Sequence, residues 1–151
     1  ILMYHMKPTD AVALYNRYIG DWGGTSTSYR FEAVKNGKVV KVVRKEPVTS
    51  MHLSAEPDHQ NLTERHTYEA AEIRIRALDQ NDNIVSFYQE PVVLSTEGPI
   101  AIIGPEIISL QGGMGGTYVR TTGEEGVGIL KIKAAQMEEQ RILFEVKNDR
   151  K

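Results

Sequence analysis

The chain has 151 residues, of which 40% are hydrophobic and 25% are charged, with a formal net charge of −2 and no cysteine. This length suits one ordinary domain or a small domain with an appendage, and the hydrophobic content is sufficient for a packed core. The small net charge argues against a broad electrostatic surface for nucleic acid or anionic lipid, and the lack of cysteine excludes disulfides, thiol nucleophiles and cysteine-ligated zinc.

The N-terminal stretch predicts a short helix. The run "KPTDAVALYNRYIG" offers Thr9 as the N-cap, Asp10 in the first turn and Gly20 as a stop. Its apolar side chains cover a wide arc, with Val12, Tyr15 and Ile19 on one face and Ala11, Leu14 and Tyr18 on the next. We therefore expect the helix to pack against more than one neighbour.

After "GDWGGTSTS" the hydrophobic period changes from that of a helix to that of a strand. The run "SYRFEAVKNGKVVKVVRK" predicts a β-hairpin around Asn36-Gly37, because this pair accommodates the positive φ angles of a tight turn. We accordingly predict that residues 1–24 are a helical lead-in or linker from a preceding domain and that residues 25–151 form a β-sandwich.

The remaining sequence consists of short runs typical of strands. The run "YEAAEIRIRALD" alternates, and "GILKIKAA" and "QRILFEVKN" do the same, so each strand has one apolar and one polar face. The inward set of the first run is Ala71, Ile73, Ile75 and Ala77. Many such strands with Gly, Pro and Asn between them predict an all-β, immunoglobulin-like antiparallel β-sandwich with a short N-terminal helix.

The glycine-rich stretch "QGGMGGTYVRTTG" at residues 111–123 raises the question of a phosphate-binding or oxyanion loop. A phosphate loop is followed by a helix, whereas "TYVRTT" is typical of a strand, and the chain has no G-x-S-x-G motif. We interpret these glycines as structural, allowing the chain to turn tightly into a core strand.

Histidines and carboxylates are concentrated in the polar segment "HLSAEPDHQNLTERHTYE", which predicts a loop between strands. The segment holds His52, Asp58, His59, Glu64 and His66, but their spacing does not indicate a metal site on one strand or helix face. The other acidic residues fall on polar strand faces or in turns, where a shifted pKa is not expected. We predict no catalytic residue, no metal site and no cofactor in this chain.

Trp22 is the only tryptophan and lies in "GDWGG" beside Asp21. A large aromatic side chain at this point can fill the joint between helix and sandwich. The alternative is that Trp22 stacks on a sugar ring, which makes it the candidate carbohydrate contact.

A longer stretch resembles a known family. The run "TYEAAEIRIRALDQNDNIVSFYQEPVVLSTEGPIAIIGPEIISLQGGMGGTYVRTTGEEGVGILKIKA" is similar to the C-terminal immunoglobulin-like domain of glycoside hydrolase family 2. That family includes β-galactosidases, β-glucuronidases and β-mannosidases. The similar features are a D-x-N-x-N turn after a strand, the passage "VVLSTEGPIAIIGP" and the closing hairpin "YVRTTGEEGVGILKIKA". The lead-in "YNRYIGDWGGTSTSYRFEAVKNGKVVKVV" resembles the segment before this domain in a β-galactosidase subgroup.

The resemblance implies a non-catalytic accessory module of a β-galactosidase-type enzyme. In that family the catalytic glutamates lie on a (β/α)₈ barrel, and nothing in this chain resembles one, so no catalytic residue is carried over. The implied partners are the catalytic barrel and other domains of the same parent chain, with contacts to a second copy or to carbohydrate left open. The alternative is a carbohydrate-binding module that uses Trp22. The chain begins at Ile1, which we interpret as a piece of a longer protein, so targeting signals would lie elsewhere and the compartment stays open, with the cytoplasm favoured.

Overall fold

A short helix and a β-hairpin occupy the N-terminal part of the computed structural model, which describes residues 7–18 and 27–149. Contacts divide the chain after Pro47 into an N-terminal unit and a C-terminal unit. The hairpin therefore belongs to the first unit, whereas the sequence placed the start of the sandwich at residue 25. That boundary stays a prediction, and the segment around it lies outside the described residues.

The N-terminal unit contains helix α1 (Pro8–Tyr18) and strands β1 (Tyr29–Lys35) and β2 (Lys38–Lys45). The helix begins at Pro8, so Thr9 lies in the first turn instead of at the predicted capping position. Proline suits this first position because its missing N–H would have no partner inside the helix. The two strands pair antiparallel across Asn36 (φ 51°) and Gly37 (φ 73°), as the Asn-Gly pair predicted.

The C-terminal unit is a sandwich of two sheets. Its strands are β3 (Met51–Pro57), β4 (Asn61–Glu64), β5 (Ala70–Asp79), β6 (Pro91–Glu97), β7 (Ile100–Ile103), β8 (Ile107–Ser109), β9 (Met114–Thr121), β10 (Gly126–Ala134) and β11 (Gln140–Asn148). One sheet has the order β4-β11-β10-β6-β8 and the other β3-β5-β9-β7. All neighbours are antiparallel apart from the parallel pair of β4 and β11. The predicted fold class is confirmed.

Residues from both sheets form one hydrophobic core. The predicted inward set of β5, which is Ala71, Ile73, Ile75 and Ala77, is fully buried. Leu130 and Ile132 of β10 and Phe144 of β11 are buried as well, as the alternation predicted. Burial of an aliphatic or aromatic side chain of this size contributes about 1.5–3 kcal/mol relative to its exposure, so these strands account for much of the stability.

The polar segment predicted as a loop contains two strands, so that prediction was wrong. Strand β3 includes His52 and the buried Leu53, and strand β4 buries Leu62 and Glu64. Strand β4 is recruited by pairing with β11, where Leu62 lies opposite Val146. Such long-range pairing can overcome a weak local preference for strand.

The chain crosses from one sheet to the other between β7 and β8. Strand β7 pairs with β9 in the four-stranded sheet, and β8 pairs with β6 in the five-stranded sheet. The chain therefore changes sheets at Gly104-Pro105, where Gly104 adopts a φ of 114°. Within residues 7–18 and 27–149, no helix has the length and apolar character needed to cross a membrane.

Candidate functional site

The glycine-rich stretch has the structural role that the sequence predicted. Gly112 and Gly113 adopt φ angles of 60° and 75°, and strand β9 begins at the next residue. The Gly113 amide donates to the Tyr88 carbonyl at 3.0 Å. A Cβ atom on Gly113 would lie 2.4 Å from the carbonyl oxygen of Val85. The glycines thus permit a tight turn and a close backbone approach, and a strand follows them instead of a helix.

Asp79 closes the turn after β5. It is 5% exposed, and its Oδ1 atom accepts hydrogen bonds from the backbone amides of Asn81 (2.8 Å) and Asn83 (2.9 Å). The Asn83 side-chain amide donates to both carboxylate oxygens, at 3.1 and 3.0 Å. The D-x-N-x-N run is therefore a turn stabilised by its own side chains.

His59 lies between two carboxylates in the connection from β3 to β4. Its Nδ1 atom is 2.9 Å from Oδ1 of Asp58, and its Nε2 atom is 3.4 Å from Oε1 of Glu69. The Asp58 carboxylate also accepts the Glu72 amide at 3.0 Å. Burial acts to raise the pKa of Asp58, but hydrogen bonds from the His59 and Glu72 amides and the charge of His59 hold this pKa below its ordinary value of 3.8.

The three histidines of the polar segment lie on three different segments of the chain. His52 lies in β3 with its Nε2 atom 3.3 Å from Asp82, whereas His66 lies in the loop between β4 and β5. In the part of the chain that the structure describes, no group of three or more histidine and carboxylate side chains is arranged to hold a metal ion.

Glu64 joins three segments at one end of the sandwich. It is 1% exposed, and its Oε2 atom accepts a hydrogen bond from the Gly123 amide at 2.8 Å. The Asn148 side chain donates to the Gly123 carbonyl at 2.6 Å, and the Asp149 amide donates to the Glu64 carbonyl at 2.8 Å. In the sequence Glu64 stood out only as a possible metal-ligand type, and no local pattern marks this role.

A cavity of about 370 Å³ lies beside this carboxylate. It is lined by residues 64–68 and 120–122, and we call it the Tyr68 depression. The Arg120 guanidinium lies over the Tyr68 ring, 5.6 Å from its centre, and also donates to the Thr121 carbonyl at 3.3 Å. The Tyr68 side chain is half exposed. The sequence did not single out this pair, because its members are far apart along the chain.

Trp22, the predicted candidate carbohydrate contact, lies outside the described residues. Its role in stacking on a sugar or in filling a joint stays a prediction.

Comparison with known proteins gives the family. The chain is 35% identical over 135 residues to a β-galactosidase of Rhizobium radiobacter, and the match covers 84% of the chain and 92% of that relative. This chain belongs to the β-galactosidase family. A second β-galactosidase, from Rhizobium meliloti, is 34% identical over 99 residues, which cover 64% of this β-galactosidase-family chain and 13% of that relative. No protein-family model matches the chain.

Solved structures share the fold of this β-galactosidase-family chain. A β-glycosidase from Bacteroides vulgatus superposes with a TM-score of 0.66 at 15% identity, covering 81% of the chain and 18% of that structure. A glycosyl hydrolase family 2 member from Bacteroides cellulosilyticus gives a TM-score of 0.64 at 16% identity, covering 80% and 17% respectively. The resemblance to a domain of glycoside hydrolase family 2 is confirmed, and the chain spans less than a fifth of these structures.

Proposed function

We propose that this chain is a non-catalytic accessory module of a β-galactosidase-type glycoside hydrolase, and that it acts by packing against other domains of the same enzyme. The relatives named as β-galactosidases support a hydrolase as the parent protein. The small share of the Rhizobium meliloti relative that the match covers, 13%, supports placement within a longer chain.

The buried carboxylates of this chain accept hydrogen bonds from the backbone, which supports a non-catalytic role for the chain. Glycosidases place two carboxyl groups roughly 5–10 Å apart on either side of the scissile bond. The acidic side chains that the described residues bury are Glu64 and Asp79, and both accept backbone hydrogen bonds that stabilise turns. Purified chain is therefore expected to leave a chromogenic β-galactoside intact, and turnover of that substrate would contradict the proposal.

The observation that carries the packing role is the exposed apolar surface of the N-terminal unit. Both faces of the hairpin are exposed, including large side chains at 41–62% of their full area: Tyr29, Phe31, Val34, Val39, Val40 and Val42. A two-stranded hairpin is marginally stable alone, and an apolar surface of this kind is typical of a contact region.

The charge of the hairpin indicates the chemistry of its partner surface. Between Tyr29 and Lys45 the sequence has six basic residues and a single acidic one, Glu32. Glu32 is paired with Arg30 at 2.6 Å. A surface that combines apolar patches with acidic side chains would therefore complement the hairpin. We propose that the enzyme's other domains present such a surface.

A matched pair of substitutions tests the packing role in the enzyme that contains this chain. Phe31 in β1 and Leu143 in β11 are both 57% exposed, so each change to serine removes a similar exposed apolar side chain. Phe31→Ser is expected to lower the thermal midpoint of the enzyme or to alter its assembly, whereas Leu143→Ser should change little. An equal effect of the two substitutions would contradict packing through the hairpin.

The alternative function is carbohydrate binding through Trp22, which the single tryptophan beside Asp21 and flexible glycines favours. Isothermal titration of the chain with galactosides should then show binding that Trp22→Ala abolishes. Binding that is unchanged in Trp22→Ala would exclude this tryptophan as the platform.

A further inference from the structure

The Tyr68 depression is large enough to hold a small molecule. Its volume of about 370 Å³ falls within the range of roughly 300–1,000 Å³ that ligand pockets occupy. It lies at the end of the sandwich where the β4–β5 loop meets the end of β9. Loops at the end of a rigid β-sandwich are common places for binding residues.

Two arginines, Arg65 and Arg120, line this depression and have N–H donors available for a ligand. Arg120 uses its guanidinium to cover the Tyr68 ring and to bond the Thr121 carbonyl, and Arg65 lies on the exposed loop. Within residues 27–149, neither arginine forms an ion pair. A guanidinium carries five N–H donors, so most of these remain available to a ligand.

Acceptors lie in the same depression. The lining includes the Glu64 carboxyl group, which also accepts the Gly123 amide, the buried Thr121 hydroxyl, which also accepts the Glu69 amide, and the exposed Thr122. Sugar hydroxyl groups both donate and accept hydrogen bonds, so they match a lining that mixes arginine donors with carboxylate and hydroxyl acceptors. The positive charge of Arg65 and Arg120 is offset in part by the Glu64 carboxyl group of the same lining, so a neutral ligand with many hydroxyl groups matches it, and anionic ligands are the competing outcome of the test.

The aromatic ring supplies the apolar contact that a sugar also needs. Tyr68 is 50% exposed, and its ring is held by Arg120, which limits the conformational entropy lost when a ligand packs against it. We propose that the Tyr68 depression binds a neutral saccharide, with one sugar ring against Tyr68 and its hydroxyl groups bonded by Arg65 and Arg120. This site is separate from Trp22 and does not depend on the packing role of the hairpin.

Amide NMR spectra of the ¹⁵N-labelled chain test the proposal. The probes are four neutral disaccharides (lactose, cellobiose, maltose and mannobiose), with sodium glucuronate and sodium phosphate as anionic probes. At least one neutral disaccharide is expected to shift the amide signals of residues 64–68 and 120–122. Tyr68→Ala should weaken that binding about tenfold, because the aromatic contact is lost. Arg120→Lys should weaken it as well, because lysine lacks the planar fork of donors.

Phe87→Ala is the control, since Phe87 is an exposed aromatic residue (68%) that does not line the depression. It should leave binding unchanged, and unchanged signals from the core strands will show that each variant is folded. The proposal is overturned if no neutral disaccharide shifts these signals, if glucuronate or phosphate binds more tightly than every neutral probe, or if Phe87→Ala weakens binding as much as Tyr68→Ala.

Discussion

The carboxylate of Glu64 in β4 accepts a hydrogen bond from the amide of Gly123, 59 residues further along the chain, at 2.8 Å. Gly123 adopts a φ of 96°, and the Asn148 side chain holds its carbonyl from the end of β11. This one contact therefore ties an edge strand to the turn between β9 and β10. The bond is partly shielded from water, so loss of the Glu64 carboxyl group would leave the half-buried Gly123 amide without its partner, at a cost in stability.

The first prediction concerns this contact. Glu64→Ala should lower the free energy of unfolding by about 1–3 kcal/mol, since this is the usual cost of leaving a hydrogen-bonding group without its partner, here the Gly123 amide. Urea denaturation followed by circular dichroism measures the change. Glu145→Ala, on an exposed position of β11, is the control and should have a small effect. A Glu64→Ala effect no larger than the control would contradict the structural role of this carboxylate.

The second prediction concerns the glycine-rich turn, where alanine would introduce backbone strain at Gly112 and both strain and a steric collision at Gly113. Gly112→Ala should destabilise the fold by about 1–2 kcal/mol, because a left-handed φ is unfavourable for alanine. Its added Cβ atom would meet the Ser86 carbonyl oxygen at 3.9 Å, which is an ordinary contact distance and adds no collision. Gly113→Ala should cost clearly more, because its Cβ atom would also collide with the Val85 carbonyl at 2.4 Å. Thermal unfolding of the two variants gives the comparison, and equal midpoints would show that the close approach is unimportant.

The third prediction is a pH dependence that arises from Asp58. Its pKa is lower in the folded chain than its ordinary value of 3.8, so the charged carboxylate is favoured by folding. The resulting stability is present above pH 3.8 and is lost as the pH falls through the lowered folded-state pKa. Asp58→Asn should therefore lower the free energy of unfolding at neutral pH. The difference in this free energy between the variant and the unmodified chain should shrink in acid.

Urea unfolding of the unmodified chain and of Asp58→Asn, measured at about pH 7 and about pH 2, gives the difference in stability above and below the titration of Asp58. The control is Asp82→Asn, because the Asp82 side chain is 81% exposed and should contribute little at either pH. A difference for Asp58→Asn that stays constant with pH, or grows in acid, would contradict the arrangement of His59 and Glu72 around this carboxylate.

The fold was predictable where local patterns are strong. The alternation that buries Ile73 and Ile75 has the period of a strand, and the Asn36-Gly37 turn depends on backbone preferences of those two residues alone. Strand β4 was missed because its pairing partner, β11, lies about 80 residues away and the segment itself is polar. The burial of Glu64 follows from that pairing, so it could not be read from neighbouring residues.

The candidate site was less predictable than the fold. The Tyr68 depression depends on the packing of Arg120 over Tyr68, which joins the β4–β5 loop to the end of β9. No short motif marks such a pair, whereas an isolated tryptophan such as Trp22 stands out by its rarity alone. The change of sheets at Gly104-Pro105 was missed in the same way, because the sequence shows a break there without showing where each half pairs.

The central claim is that the N-terminal unit packs against another domain of the enzyme. Hydrogen exchange measured by mass spectrometry tests it directly on two samples, the isolated chain and the longer enzyme that contains it. We predict that the amides of β1 and β2 exchange fast in the isolated chain and are protected in the enzyme, while β5 is protected equally in both. The same fast exchange of the hairpin in both samples would contradict the account.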